Sequence, residues 1–306
     1  MVSMDRLNDK PRPSQPASRI TPLGLVFLLT TSLGWGFNWP VTKYLLTEVP
    51  PLTMRGATGL LGALLLSAIA LLFGQSLKVE RALWPRLWLY SFLNVSCWMT
   101  LMVFALFWLS AGETAMVAYT MPVWASLLAW PILGERPTFL RVAALIIAFG
   151  GLGALLGGGS IALSVERLAG YLMVLVAAFA FALGAVLSKR KPLPLPPLSA
   201  AAWQVGLGCL PLGVVGFLIE TTDVSRISTL GWWLLTYGTV VQFCIAYVTW
   251  FAALARLPAS VATIGTMLTP VAGVVAGSLA LGEPLGAVQI VALLCILAGV
   301  GLAIKS

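Results

Sequence analysis

The chain has 306 residues, of which 59% are hydrophobic and only 9% are charged. A soluble domain of this length needs far more charge to cover its surface, so the composition excludes an ordinary water-soluble protein and favours a polytopic membrane protein. The net charge of +8 is explained by membrane orientation, and we predict no nucleic-acid partner. Histidine is absent and the four cysteines fall in apolar segments, so no metal site and no cofactor is expected.

Residues 1–20 contain basic residues among prolines and serines without an apolar run, which predicts a solvated tail. Apolar segments then follow one another, each near the length of about 20 residues that crosses a bilayer. We predict ten transmembrane helices, near residues 21–45, 51–74, 85–109, 112–133, 137–157, 166–188, 196–219, 229–254, 258–281 and 284–304.

The second half of the chain repeats the first at an offset of 148 residues. Pro122 recurs as Pro270, and the pair Gly134-Glu135 recurs as Gly282-Glu283. The predicted organisation is a tail (1–20), a five-helix repeat (21–158), a linker (159–168) and a second five-helix repeat (169–306).

Because five helices per repeat is an odd number, the second repeat must enter the bilayer from the opposite side. With the N-terminus in the cytoplasm, fourteen of the 18 lysines and arginines fall on the inner side, and the outer side holds only Lys43, Arg55, Arg167 and Arg226. This asymmetry predicts cytoplasmic termini. The expected fold is therefore an all-α membrane protein of ten transmembrane helices, arranged as two inverted five-helix repeats around a central cavity, as in many secondary carriers.

Predicted helices 3 and 8 carry the first candidate binding residues. Asn94 and Trp98 share one face of helix 3, and the offset places Gln242 at the position of Asn94 in helix 8. Each half thus has a carboxamide near the bilayer centre, where a polar group must be satisfied by another helix or by a cavity. The amides either line a cavity and bind a polar solute or form hydrogen bonds that hold the helices together.

Predicted helix 1 contains Trp35, Gly36, Asn38 and Pro40. Pro40 leaves the carbonyl of Gly36 without its helical donor and favours a kink. Trp39 alone is expected to anchor the helix at the outer interface. Trp35 and Trp98 lie too deep for that role, so they either pack between helices or contact a flat solute.

Pro122 and Pro270 predict kinks in helices 4 and 9 that either act as hinges along a substrate path or serve only packing. Tyr119 lies one turn before Pro122 and is a candidate cavity hydroxyl, with Thr263, Thr266 and Thr269 opposite it. At the ends of helices 1 and 6, Lys43 and Lys191 either extend to the interface or attract a carboxylate at each gate.

Absent residue types narrow the function further. No Asp or Glu is expected at mid-membrane depth, so a carboxylate proton relay is missing, and no buried fixed cation is expected that would neutralise a phosphate. Catalytic motifs are also absent, and an enzyme is not expected.

Taken together, Trp35-Gly36 with Lys43, Ala105-Leu106, the mid-helix prolines and the Gly-Glu pairs resemble the EamA-type branch of the drug/metabolite transporter superfamily. The resemblance covers residues 21–304 and is strongest to exporters of aromatic amino acids. It implies a basket of ten helices with a central cavity formed mainly by helices 1, 3, 4, 6, 8 and 9, in the bacterial inner (plasma) membrane. Helix 6 departs from the aromatic pattern of helix 1, with Leu183 and Leu187 in place of tryptophan.

We therefore predict an alternating-access exporter of small amphipathic metabolites, foremost aromatic or other neutral amino acids. The predicted partners are the small-molecule substrate and the lipid bilayer, with the protein a monomer or a homodimer. A broad exporter of hydrophobic or drug-like compounds and a passive channel are the alternatives.

Overall fold

The computed structural model describes residues 21–134, 139, 142–143, 146–147, 150–151, 165–257, 261 and 265–305, and within them all regular structure is helical. The predicted tail, most of the predicted linker and fifth helix, Glu135 and Thr263 lie outside the described residues.

Over residues 21–134, the first half forms seven α-helices separated by short segments of other structure. They are α1 (Pro22–Gly36), α2 (Asn38–Leu45), α3 (Pro51–Leu72), α4 (Trp84–Ser91), α5 (Cys97–Ala105), α6 (Ala111–Ala118) and α7 (Met121–Leu133), with a π-helix at Phe92–Ser96 between α4 and α5.

Over residues 165–257 and 265–305, the second half forms six α-helices, and the first of them is continuous, whereas α1 and α2 are separated at Phe37. Its helices are α8 (Val165–Arg190), α9 (Pro197–Ile219), α10 (Thr229–Thr236), α11 (Ala246–Leu254), α12 (Leu268–Leu281) and α13 (Ala287–Lys305), with a π-helix at Tyr237–Ile245 between α10 and α11.

Six continuous helical stretches among the described residues are long and apolar enough to cross a membrane: Pro51–Leu72, Arg81–Ala105, Ala111–Leu133, Arg167–Arg190, Pro197–Ile219 and Thr229–Leu254. Shorter apolar helices cover Leu268–Leu281 and Ala287–Ala298. Many large apolar side chains on these helices are exposed, for example Leu72 at 87% and Phe217 at 85%. Such faces suit lipid contact rather than water.

Irregular backbone recurs at equivalent positions of the two halves. A turn at residues 119–120 separates α6 from α7, and a turn at residues 266–267 precedes α12. The helices after these turns end at Gly134 (φ 76°) and Gly282 (φ 65°), where the left-handed backbone favours glycine. The Gly-Glu pairs of the sequence therefore begin with a helix-terminating glycine.

The equivalent helices α3 and α9 pack against each other in antiparallel directions. Gly56 lies against Gly213, and Gly216 lies against the main chain of Thr53. Glycine permits this approach because it has no Cβ. The two helices also cap each other. Gln75, after α3, accepts hydrogen bonds from the main-chain N–H groups of Leu198 and Ser199 at the start of α9. Glu220, after α9, accepts hydrogen bonds from those of Leu52 and Thr53 at the start of α3.

Trp39 belongs to a buried core and is only 6% exposed. It packs with Met102, Leu106 and Tyr171 in a cluster shared by both halves. The expectation that Trp39 anchors the protein at the membrane interface is therefore wrong. Its ring fills the space beside Gly273, where a Cβ would lie 2.9 Å from Trp39 Cδ1.

Candidate functional site

The break between α1 and α2 positions Trp35 and Asn38. α1 ends at Gly36 and α2 begins at Asn38, one half-turn before Pro40, which withholds an N–H from the Gly36 carbonyl. Gly36 lies so close to α12 that a Cβ there would be 2.9 Å from the main-chain oxygen of Thr269. Asn38 is buried at the start of α2.

Trp35 and Gln242, both predicted as binding residues, are in direct contact. The indole Nε1 of Trp35 donates to the main-chain oxygen of Gln242 at 3.3 Å. The ring also contacts Tyr247 edge-on at a centroid distance of 5.6 Å and Trp250 at 6.0 Å. This places a group of three aromatic rings beside the second π-helix.

The side chain of Gln242 is buried and accepts a hydrogen bond from a residue that the sequence analysis did not select. Arg55 Nη1 donates to Gln242 Oε1 at 3.4 Å, and Arg55 Nη2 donates to Thr42 Oγ1 at 3.0 Å. Arg55 is only 5% exposed. The prediction that the chain buries no fixed cation is therefore wrong: the count of outer-side charges included Arg55 but assumed that it faced water.

The other predicted amide, Asn94, lies in the first π-helix and faces α8 and α9. Its Nδ2 donates to Gln204 Oε1 at 3.1 Å, whereas its buried Oδ1 has no hydrogen-bond partner. Oδ1 lies directly against Gly184 of α8, in space that a Cβ at residue 184 would occupy. A π-helix widens the turn and re-aims side chains, and such segments are frequent at functional sites.

Trp98 follows one turn after Asn94 and also faces α8. Its ring contacts Phe181 at a centroid distance of 5.0 Å. Asn94 and Trp98 thus lie along one face of α8, as their spacing predicted. Within the described part of the chain, no hydrogen bond or aromatic contact joins this pair directly to the Trp35–Gln242 pair.

Tyr119 lies at the turn between α6 and α7, next to Pro122, and is 8% exposed. In the second half, Thr269 has a buried Oγ1 without a hydrogen-bond partner. Thr269 directly precedes Pro270 at the start of α12. The two predicted hinge prolines therefore each follow a helix break.

The two helix-end lysines differ from each other. Lys43 is partly buried in the last turn of α2 and donates to the main-chain oxygens of Leu106 and, at 2.7 Å, of Leu109. It therefore stabilises the carboxyl end of α5. Lys191 follows α8 and is exposed, so the predicted equivalence of the two cations does not extend to their surroundings.

Carboxylates beyond the candidate site bind helix ends. Glu283 accepts the N–H groups of Ala111 and Gly112 at 2.5 and 3.0 Å, at the start of α6. Glu113, in the same turn, accepts Arg167 Nη2 at 2.7 Å and the Tyr171 hydroxyl at 3.0 Å. These contacts join the end of α12 and the start of α8 to the first half.

Glu48, between α2 and α3, links two loops. It accepts hydrogen bonds from the main-chain N–H and the hydroxyl of Ser228 and from the Tyr44 hydroxyl. The hydrogen bonds from Ser228 lower the pKa of the Glu48 carboxyl below its ordinary value.

A groove of about 650 Å³ lies between α3 and α9 and is separate from the predicted residues. Its lining includes Leu60, Val214 and Phe217. This apolar lining, at the periphery of the helix pair, suits lipid chains better than a polar solute. Among the described residues no group of three or more Cys, Asp or Glu is arranged to hold a metal ion.

A sequence model of the EamA-like transporter family matches the chain twice, over residues 22–157 and over residues 168–305. The chain belongs to the EamA-like transporter family. It is thus a multi-pass membrane transporter of the drug/metabolite transporter superfamily, and the predicted resemblance to that family is confirmed.

Relatives of this EamA-like protein are named as transporters. It is 29% identical over 268 residues to the uncharacterized transporter YvbV of Bacillus subtilis, which covers 87% of this chain and 85% of the relative. It is 28% identical over 284 residues to a probable amino-acid metabolite efflux pump of Salmonella typhimurium. This match covers 87% of this chain and 89% of the relative.

A solved crystal structure also resembles the EamA-like chain, with a TM-score of 0.68 and 21% identity over 92% of this chain and 96% of that chain. At this identity the likeness supports the fold alone.

Proposed function

We propose that this protein exports small amphipathic metabolites, foremost aromatic or other neutral amino acids, by alternating access. The observation that carries the proposal is the placement of Asn94 and Gln242 in the π-helical segments of the two halves, with both amides directed toward neighbouring helices. The widened helical turns supply deformable backbone, and the unpaired Oδ1 of Asn94 supplies a binding group.

The aromatic residues favour a flat or apolar substrate body. Trp35 forms a group with Tyr247 and Trp250, and Trp98 contacts Phe181. Ring faces bind aromatic solutes through burial and offset stacking. The name of the Salmonella typhimurium relative, a probable amino-acid metabolite efflux pump, agrees with this substrate class.

The proposal includes ten transmembrane helices in two inverted repeats, with both termini in the cytoplasm of a bacterium and the protein in its inner membrane. The antiparallel packing and reciprocal capping of α3 and α9 support it, because equivalent helices of inverted repeats run in opposite directions. Gly36, Pro40, Pro122 and Pro270 supply the hinges.

Transport by purified protein in proteoliposomes tests the proposal. Vesicles loaded with unlabelled amino acid should accumulate labelled phenylalanine or tryptophan transiently, and the rate should saturate with concentration. A panel of amino acids, with and without an imposed pH gradient, also determines whether protons are coupled. The proposal is wrong if no amino acid in the panel is transported.

The group of three rings around Trp35 favours one second candidate, a broad exporter of hydrophobic compounds, because the rings offer more apolar than polar contact. Indole and planar dyes would then compete with labelled tryptophan as strongly as tryptophan itself does. A passive channel would instead give flux that rises linearly with solute concentration.

A further inference from the structure

Arg55 is a buried fixed charge, in the second turn of α3, with 5% of its surface exposed. A guanidinium stays protonated in proteins and offers five N–H donors. Burying such a charge costs free energy unless a carboxylate or another anion compensates it. Its partners therefore indicate whether the charge belongs to the fold or to a ligand.

The partners of Arg55 are all neutral. Nη2 binds the Thr42 hydroxyl at 3.0 Å and Nη1 binds the Gln242 amide at 3.4 Å, a long distance for a hydrogen bond. Nε is buried and has no acceptor.

Four carboxylates of the described chain are bound to other groups. Glu48 binds Ser228, Glu113 binds Arg167, and Glu220 and Glu283 each bind two main-chain N–H groups at a helix start. Within the described residues, Arg55 forms no ion pair. Its charge is therefore uncompensated by the fold.

Two of the elements that surround Arg55 also carry the candidate binding residues. Gln242 binds the guanidinium through its side chain and accepts the Trp35 indole N–H through its main chain. One residue thus separates the cation from the aromatic group. Both the α1–α2 break at Phe37 and the π-helix at Tyr237–Ile245 are irregular segments, which deform more readily than continuous helix.

We propose that Arg55 binds the carboxylate of the exported solute. The unpaired Nε then donates a charge-assisted hydrogen bond to the carboxylate, on the face of the guanidinium that also presents Nη2, while the apolar part of the solute extends toward Trp35. A single cation among neutral groups matches a monoanion, so the substrate class is a small monocarboxylate with an apolar body, amino acids included. Decarboxylated amines and neutral alcohols are excluded. The inference rests on the proposed export function and adds to it a required chemical group.

Competition in proteoliposomes tests the carboxylate requirement. Counterflow of labelled phenylalanine should be inhibited by 3-phenylpropionate and at least about tenfold less by 3-phenylpropanol, since a hydrogen bond to a charged group contributes about 1.5–3 kcal/mol. Arg55→Gln should raise the KM for phenylalanine by at least about tenfold, and Arg55→Lys should retain part of the affinity. Arg226→Gln is the matched control because Arg226 is exposed and paired with Asp223. Equal inhibition by acid and alcohol, or an unchanged KM in Arg55→Gln, would overturn the proposal.

Thermal unfolding of the purified protein separates a ligand-binding role from a structural one. If the fold does not need the charge, Arg55→Gln without ligand should unfold at the same or a higher temperature than the wild type. The acid, but not the alcohol, should raise the unfolding temperature of the wild type and leave that of Arg55→Gln unchanged. The proposal is overturned if Arg55→Gln is strongly destabilised and Arg55→Lys restores stability but is not stabilised further by 3-phenylpropionate. That result would show that the cation at residue 55 is structural.

The same unfolding measurement distinguishes failure of the proposed function from failure of the anion site. A wild type that transports no amino acid, yet is stabilised by 3-phenylpropionate in an Arg55-dependent way, retains the anion site and refutes amino-acid export. A wild type that 3-phenylpropionate does not stabilise refutes the anion site, whatever it transports.

Discussion

Replacing Asn94 with leucine should impair transport while leaving the fold nearly as stable as before. The substitution removes the 3.1 Å hydrogen bond to Gln204, a net contribution of about 1 kcal/mol for neutral groups. It also removes the buried Oδ1, which has no partner and whose burial costs about 1–3 kcal/mol. These two changes oppose each other, so the free energy of unfolding should change by no more than about 2 kcal/mol.

The effect on the substrate should be much larger. If Oδ1 accepts a hydrogen bond from the ammonium group of an amino acid, its loss costs about 1.5–3 kcal/mol, which is roughly a 10- to 100-fold increase in KM. Saturation curves from counterflow, measured beside thermal unfolding, give both quantities. Gln204→Leu is the matched control, because it removes the same hydrogen bond and leaves Oδ1 in place. An equal rise in KM in both variants, or an unchanged KM in Asn94→Leu, would refute a binding role for Oδ1.

Three further predictions concern stability. Glu283→Ala leaves two N–H groups of α6 without their charged acceptor and should lower the free energy of unfolding by about 3 kcal/mol or more. The control Asp223→Asn, in an exposed loop, should not lower it. Equal unfolding temperatures of the two variants would contradict this prediction. Gly56→Ala places a methyl group against the main chain of Gly213 and should cost about 1–3 kcal/mol, while Gly150→Ala, with open space around it, serves as a control that should unfold like the wild type. The pKa of Glu48 is lowered in the fold, so its contribution to the free energy of unfolding is present above the unfolded-state pKa and is lost as the pH falls through the folded-state pKa. Glu48→Gln should reduce this acid-dependent loss of stability. An unaltered dependence of stability on pH would argue against it.

The helix breaks near the two prolines and the ends of the helices that follow could be predicted because their markers are local. Pro122 and Pro270 fix where a helix cannot continue, and Gly134 and Gly282 end helices at positive φ. These signals do not depend on which helices later become neighbours, so they identified the helix breaks from sequence alone. The matching π-helices were not predicted, since nothing in local composition marks a widened turn.

Burial of individual side chains was harder to predict. Arg55 lies four residues inside a predicted helix and counted as an outer-side charge, although its guanidinium points inward to Thr42 and Gln242. Trp39 had the position of an interface anchor but is enclosed by helices of both halves. Helix rotation about its own axis decides both cases, and contacts between distant segments set that rotation. One sequence signal did exist for Arg55: a fixed charge inside an apolar helix costs too much to be placed without a function.

Counterflow of labelled phenylalanine tests most directly whether both halves of the chain build the solute site. It is measured in proteoliposomes that contain the wild type, Asn94→Leu or Gln242→Leu. We expect saturable counterflow in the wild type and a raised KM in each variant, since one amide lies in each half. Linear, non-saturating flux in the wild type, or a KM that changes in neither variant, would contradict it.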